Sequence, residues 1–292
     1  MTEQRPLHAM TVDVEDYFQV AALAKAFPPG TWESVPRRVV PNTQRLLDLF
    51  DRHGIKATFF ILGWVAEREP ALVKEIAARG HEIACHGYSH QLVYEQTPEV
   101  FRAETLRARD ILQDTLGQAV HGYRAASYSI TRRSFWALDI LAEAGFQWDS
   151  SIFPIRHDRY GVPSSPTRPY RLITEQGREL VEIPLTTASV FGQRLPAAGG
   201  GYFRLYPYAV SRALFGRAAR DGAGIFYLHP WEVDPEQPRA TGISALSRFR
   251  HYNNLDRCLQ RLERLLGDFR FGTVSEALLG AAELPRVEQR AL

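Results

Sequence analysis

Short apolar runs alternate with stretches of helical periodicity through the first half of the chain. Residues 8–14, 57–62, 81–85, 122–126 and 146–149 read as strands, the run A-T-F-F-I-L at 57–62 being apolar enough for burial on both faces. Between them, apolar residues at helical spacing predict helices over 43–52, 70–79, 98–116 and 131–144. Each is followed by a glycine suited to a helix stop (Gly54, Gly80, Gly117, Gly145), and Pro70 and Pro98 open two of them. Repeated strand-then-helix units predict an α/β fold with a parallel sheet and outer helices, and their number favours barrel-like closure. In such folds the working groups gather at the C-terminal ends of the strands.

The second half is less regular. Residues 154–169 are rich in Pro, Ser and Arg and read as a surface loop; 170–187 reads as two strands around Glu175-Gln176-Gly177. A helix is expected over 207–220, a buried strand over 225–229, and a helix within 244–266 on Leu255, Leu259, Leu262 and Leu266. Residues 271–279 close the pattern, and the tail beyond 283 reads as loose. With no internal repeat and no linker, the expectation is a single domain: a barrel over 1–232 and a C-terminal extension over 233–292 packed on it.

Composition narrows the class. Hydrophobic residues are 45% of the 292, enough for a large core. With 35 basic and 33 acidic residues, nothing argues for a nucleic-acid or anionic-membrane partner. Two cysteines, Cys85 and Cys258, suggest a reducing compartment rather than a disulfide framework. The opening string M-T-E-Q-R-P-L-H-A-M lacks an apolar leader, and no run approaches the roughly 20 residues of a membrane span. A soluble, cytoplasmic protein is expected.

The polar residues at the strand ends carry the chemistry. In A-C-H-G-Y-S-H, His86 and His90 lie four apart, a spacing that on a helical turn presents two imidazoles to one ion. A carboxylate is the usual third ligand, and Asp13-Val14-Glu15-Asp16 ends the first strand. One acid there would bind the metal and another would stay free to take a proton from water. Strand alternation puts Asp13 and Glu15 on one face, with Asp16 reaching the site only if the strand turns. His229, after I-F-Y-L, is placed to donate to a leaving amine, and Arg124, in Y-R-A-A-S-Y, to hold the free carboxylate. Tyr128 and Trp231 are candidates for stacking on sugar rings. Gly199-Gly200-Gly201 reads as a flexible lip, followed by Tyr202, Phe203 and Arg204 as possible substrate contacts; no Lys-Ser or Lys-Thr follows to make a phosphate loop. His81 and His86 are five apart on a strand, unlike a metalloprotease helix, which makes His81 structural.

In order, T-V-D-V-E-D-Y-F, H-G-Y-S-H, Y-R-A-A-S-Y, W-D-S-S and Y-L-H-P-W-E resemble the motifs of polysaccharide deacetylases of the NodB-homology type, carbohydrate esterase family 4. The strings G-G-G-Y-F-R-L-Y-P-Y, H-P-W-E-V-D-P and R-L-L-G-D-F-R-F further resemble the branch encoded with exosortase-linked exopolysaccharide loci. The resemblance implies a distorted barrel with fewer than eight regular repeats, and removal of N-acetyl groups from N-acetylhexosamine units of a polysaccharide or its lipid-linked precursor. It implies one divalent metal ion, zinc first among the candidates, with His86 and His90 as ligands. Asp13 would be the base, oriented by Arg124; His229 would be the acid, tuned by Asp149; a backbone N–H near Ser127 or Tyr128 would meet the oxyanion. The family's first motif has two adjacent aspartates before glycine, whereas here Asp-Val-Glu-Asp-Tyr stands. Strand geometry favours Glu15 as the metal carboxylate and the shorter aspartate of the usual motif favours Asp16, which takes a slight preference. The altered motif keeps two other classes open: a hydrolase of small linear or cyclic amides, allantoinase-like, and a non-catalytic glycan-binding relative.

Overall fold

A computed structural model describes residues 6–157, 159–280 and 283–292. The first five residues of the opening string, Asp158 in the expected 154–169 loop, and residues 281–282 lie outside the described residues. The strands are β1 (Leu7–Val14), β2 (Thr58–Ile61), β3 (Glu82–Cys85), β4 (Gly122–Tyr123), β5 (Trp148–Asp149), β6 (Tyr170–Ile173), β7 (Glu179–Glu182), β8 (Thr187–Val190), β9 (Gln193–Pro196), β10 (Ile225–Leu228), β11 (Arg270–Gly272) and β12 (Arg286–Glu288). The main sheet runs β10-β1-β2-β3-β4-β5-β7-β6-β12, parallel throughout except for the β6/β7 hairpin. β11 adds to β1 on the edge that β2 also uses, since Ala9 pairs with Ile225 on its other side. β8 and β9 form a separate hairpin.

The parallel α/β sheet follows from the strand–helix alternation. The helix Val39–His53 lies between β1 and β2, Pro70–Ala78 between β2 and β3, Pro98–Leu116 between β3 and β4, and Trp136–Glu143 between β4 and β5. β10 and β12, the two ends of the order, do not pair among the described residues. The 186–198 segment meets the free edge of β10 instead: the Thr186 hydroxyl accepts from the Ile225 N–H at 2.7 Å, and the Ala198 carbonyl from the Tyr227 N–H at 2.7 Å.

Strands two residues in period and buried on both faces sort their side chains into two cores. Met10, Val12 and Val14 join Phe59, Ile61, Ile83, Cys85, Phe226 and Leu228 in the larger cluster, beneath the helices. Ala9 joins Phe60, Ala84, Trp148, Ile183 and Ile225 in a second cluster on the opposite face. Gly122 is required there, because a Cβ would lie 2.0 Å from the Trp148 ring. Residues of the second parity, continued past the strand ends, are Asp13 and Glu15 after Ala9, His86 after Ala84, Arg124 after Gly122, and His229 after Ile225. Asp16 has the opposite parity.

The expected C-terminal extension, 233–292, supplies β11 and β12 to the same sheet. Three details differ from the sequence expectation. The 199–201 glycines open a helix, Gly200–Leu205, rather than forming a loose lip. The helix expected within 244–266 is two, Ala245–Tyr252 and Leu255–Asp268, broken at Asn254 in the left-handed region (φ +51°) that asparagine tolerates. The tail beyond 283 is ordered by backbone pairing of β12 with β6. The second helix buries Leu255, Cys258, Leu262, Leu265 and Leu266, each full leucine burial contributing roughly 1.5–3 kcal/mol. Among the described residues, no helix is long and apolar enough to cross a membrane.

Candidate active site

At the C-terminal ends of β1, β3, β4 and β10 the inward-facing polar residues converge on a cleft of about 150 Å³, lined among others by Asp13, Glu15, His86, His90, Tyr128 and His229. One ligand atom each of Glu15, His86 and His90 lie within 4.8 Å of one another. The histidine pair is not set on a helical turn, as its spacing suggested. The chain bends after β3, with Gly87 at φ +74° and His90 at φ +54°, and brings the two ring centroids to 5.3 Å. A non-glycine residue in that region is strained, a cost found mainly at functional sites.

Two of the three ligand candidates, His86 and Glu15, are held from behind. His86 Nδ1 donates to the Arg124 carbonyl at 2.8 Å, leaving Nε2 free to face the cleft. Burial lowers the His86 pKa to about 4, keeping the ring neutral. The Glu15 carboxylate accepts from Trp231 Nε1 at 3.0 Å, and its Oε2 lies 2.8 Å from His90 Nε2 without the alignment of a hydrogen bond. Burial alone would raise the Glu15 pKa, but His90, His229 and His86 outweigh it and hold the group well below the usual carboxylate range.

Asp16, the acid preferred on the family motif, is not in this cluster. Its opposite strand parity turns it away, and its oxygens accept from the N–H groups of Tyr17 (2.9 Å), Arg38 (2.6 Å) and Val39 (2.9 Å). It caps the turn Tyr17–Gln19 and ties β1 to the start of the first long helix. Burial exceeds these bonds and raises its pKa to about 6.

Asp13 sits beside the cluster. Arg124 Nη1 donates to its Oδ1 at 2.6 Å, and the Tyr128 hydroxyl lies 3.4 Å from its Oδ2. The Arg124 guanidinium is fully buried, bonded to Thr11 (2.9 Å) and Ser150 (3.1 Å), and lies 3.9 Å over the Phe60 ring. Such a buried, fully bonded Arg–carboxylate pair is fixed in direction.

His229 faces both acids across the cleft, its Nε2 3.9 Å from Asp13 Oδ2 and 3.5 Å from Glu15 Oε1. Its Nδ1 donates to Glu232 at 3.2 Å. Burial would lower its pKa, but the Glu232 bond and the charges of Glu15, Glu232 and Asp13 carry it up to about 9. The carboxylate that tunes His229 is therefore Glu232, not Asp149 as expected. Asp149 pairs in register with Tyr123 and Glu182, out of phase with Arg124: its Oδ1 accepts from the Ser151 hydroxyl at 2.6 Å, and it shares its surroundings with the buried Glu182. Burial raises both carboxyls, Asp149 to about 6. Glu232 was the functional candidate missed in sequence; its signal was an acid three residues after the histidine, within a turn.

The substrate-contact candidates divide. Tyr128 and Ser127 line the cleft and occupy consecutive left-handed positions (φ +54° and +50°). The Tyr128 N–H is engaged by the Ala125 carbonyl at 3.1 Å. Trp231 cannot serve as a sugar platform: its faces are covered by His229 (5.1 Å, 21°) and His251 (4.3 Å, 16°). Tyr202 lines a larger neighbouring cavity. Phe203 and Arg204, its sequence neighbours, are buried, Arg204 donating to the carbonyls of His251 and Asn253 at 2.8 Å. His81 is structural as expected, its Nδ1 accepting from the Ala57 N–H. Both cysteines are buried and unpaired, and burial pushes the Cys85 thiol up to about 12.

Residues 30–148 match the polysaccharide deacetylase family, and residues 150–279 match the domain of unknown function DUF3473. The chain therefore carries a polysaccharide deacetylase domain of the NodB-homology, carbohydrate esterase family 4 type, followed by a DUF3473 domain. A chitooligosaccharide deacetylase of Bradyrhizobium sp. is 29% identical over 145 residues, 49% of this chain and 59% of that protein. A peptidoglycan-N-acetylglucosamine deacetylase of Bacillus cereus is 39% identical over 77 residues, 26% of this chain and 28% of that protein. The chain thus spans between about a quarter and three-fifths of these relatives' lengths. A Mycobacterium smegmatis protein assigned as a candidate polysaccharide deacetylase shares the fold, with a TM-score of 0.59 at 20% identity over 94% of this chain and 90% of that one.

Proposed function

We propose that the chain is a metal-dependent hydrolase that removes N-acetyl groups from N-acetylhexosamine units of a glycan. The observation that carries this reading is the convergence of Glu15, His86 and His90, flanked by Asp13 on one side and His229 on the other. The donor set fits a divalent transition-metal ion, zinc first: two imidazoles and one carboxylate, with Glu15 Oε2 lacking a hydrogen-bond partner at the point of convergence. Glu15, not Asp16, takes the carboxylate role. A divalent ion held there would polarise the acetyl carbonyl and lower the pKa of water to about 7.

The remaining steps belong to the chain's own residues. Asp13, held in direction by Arg124, accepts the proton of the attacking water. The Ser127 N–H is the proposed oxyanion donor, since the Tyr128 N–H is engaged. His229 Nε2 delivers a proton to the departing amine, while Glu232 fixes the tautomer through Nδ1. Electrostatic support from Glu232, Glu15 and Asp13 keeps that proton on the ring near neutral pH. A polymer substrate is supported by the family and its relatives, and a role in exopolysaccharide synthesis by the branch-like strings.

Incubation with added divalent metal and chitotetraose is expected to release acetate. The reading fails if the wild-type chain releases no more than His86→Ala across several metals and acetylated glycans. Turnover of allantoin in place of any glycan would move the chain to the small-amide class.

A further inference from the structure

A larger cavity of about 320 Å³ opens off the cleft. Val20, Ser127, Tyr160 and Tyr227 line both, so a substrate extending beyond the reacting sugar in that direction enters it. Its walls suit a sugar ring. Tyr202 and Tyr227 line it, and Tyr160, held between His157 (3.8 Å, 6°) and Phe153 (5.8 Å, 4°), presents its edge and hydroxyl rather than a free face. Apolar side chains at the rim, Leu205 and Phe249, are 45% and 54% exposed. Most of these residues belong to the DUF3473 portion.

The charge of this cavity is opposite to that of the cleft. Among the described residues lining it, Arg159, Arg250 and His157 carry or can carry positive charge and none is acidic. In sequence the 154–169 loop holds Arg156, Arg159 and Arg168 against one acid, Asp158. A neutral glycan would leave both guanidinium groups without a partner in a half-enclosed space, whereas a carboxylate or phosphate matches their paired donors.

We propose that this cavity is a subsite for an anionic group on the glycan, carried by a unit adjoining the N-acetylated sugar. The proposal rests on the deacetylase reading for which sugar lies in the cleft. The anion is a sugar carboxylate or a phosphate of a glycosyl carrier; the chemistry recognised is the same.

The test is equilibrium binding to the full chain in an Asp13→Asn background, at about 50 mM salt so that screening stays modest. Three probes are used: chitotetraose, a tetrasaccharide alternating N-acetylglucosamine with glucuronate, and UDP-N-acetylglucosamine. At least one anionic probe is expected to bind about tenfold more tightly than chitotetraose, the scale of two exposed ion pairs. The preference should fall to about threefold or less in Arg159→Gln/Arg250→Gln, whose melting curve should be unchanged because both side chains are surface-exposed. Preference for the glucuronate probe names the carboxylate, and preference for the nucleotide sugar names the phosphate. Equal affinity for all three, or a preference that survives the double substitution, overturns the proposal. Acetate release by the wild-type chain is scored separately. Release without anion preference removes only the subsite; preference without release from any glycan removes the deacetylase reading.

Discussion

Asp13, Glu15, His86 and Arg124 stand at the ends of three parallel strands, β1, β3 and β4, whereas His229, Trp231 and Glu232 stand on one strand end and the turn after it. The first wall needs little beyond strand alternation and a bend at Gly87. The second needs support from further along the chain: His251 covers Trp231, and the buried Arg204 lies 3.5 Å from Glu232. The two walls also fall in different domain families, the proposed metal-ligand histidines within 30–148 and the proposed acid within 150–279. The difference teaches that the DUF3473 region completes the cleft rather than merely covering it.

Breaking the first wall should cost most. His86→Ala removes a proposed ligand, and kcat/KM for acetate release should fall about a thousandfold or more, the scale of losing metal-ion charge stabilisation. Breaking the second at its centre should cost less: His229→Gln should lower kcat about a hundredfold to ten-thousandfold while the protein retains metal. Metal loss in that variant would mean that the walls are not separable. Glu232→Gln sharpens the comparison, because it leaves His229 in place and alters only its partner. A fall of about ten- to a hundredfold in kcat with KM nearly unchanged is expected, as for other groups that orient a catalytic ring; an unchanged kcat would return Glu232 to a packing role.

The smallest effect concerns the buried Asp149–Glu182 pair on β5 and β7. The folded protein holds a proton on the Asp149–Glu182 pair, Asp149 being raised to about 6 by burial, whereas an unfolded aspartate releases its proton near about 4. A raised carboxyl contributes stability below the unfolded value and loses it as pH rises through the folded value. Thermal melts of Asp149→Asn should therefore show a flatter decline between pH 4 and 6 than the wild type. A decline identical to the wild type's would place the shared proton elsewhere.

Much of the first wall was legible from sequence. The alternation of strands and glycine-stopped helices gave the parallel sheet, and the period of two gave the common face of Asp13 and Glu15. Three things were hidden. The fate of Asp16 depends on N–H groups of Arg38 and Val39, more than twenty residues away, which no local pattern announces. Asp149 stands just before His229 in motif order, but its register with Tyr123 and Glu182 sets it beside Ser151 and Glu182 instead. Y-L-H-P-W-E makes Trp231 a candidate for stacking on sugar rings, and only the fold reveals that His251 covers its other face.

The two neighbouring acids at the end of β1 give the most direct test. Metal content per chain should be measured by elemental analysis on purified wild type, Glu15→Gln and Asp16→Asn. The account predicts about one divalent ion per chain in wild type and Asp16→Asn, the latter melting earlier by the loss of a cap contributing roughly 1–2 kcal/mol, and little or none in Glu15→Gln. Metal retained in Glu15→Gln and lost in a folded Asp16→Asn would contradict it.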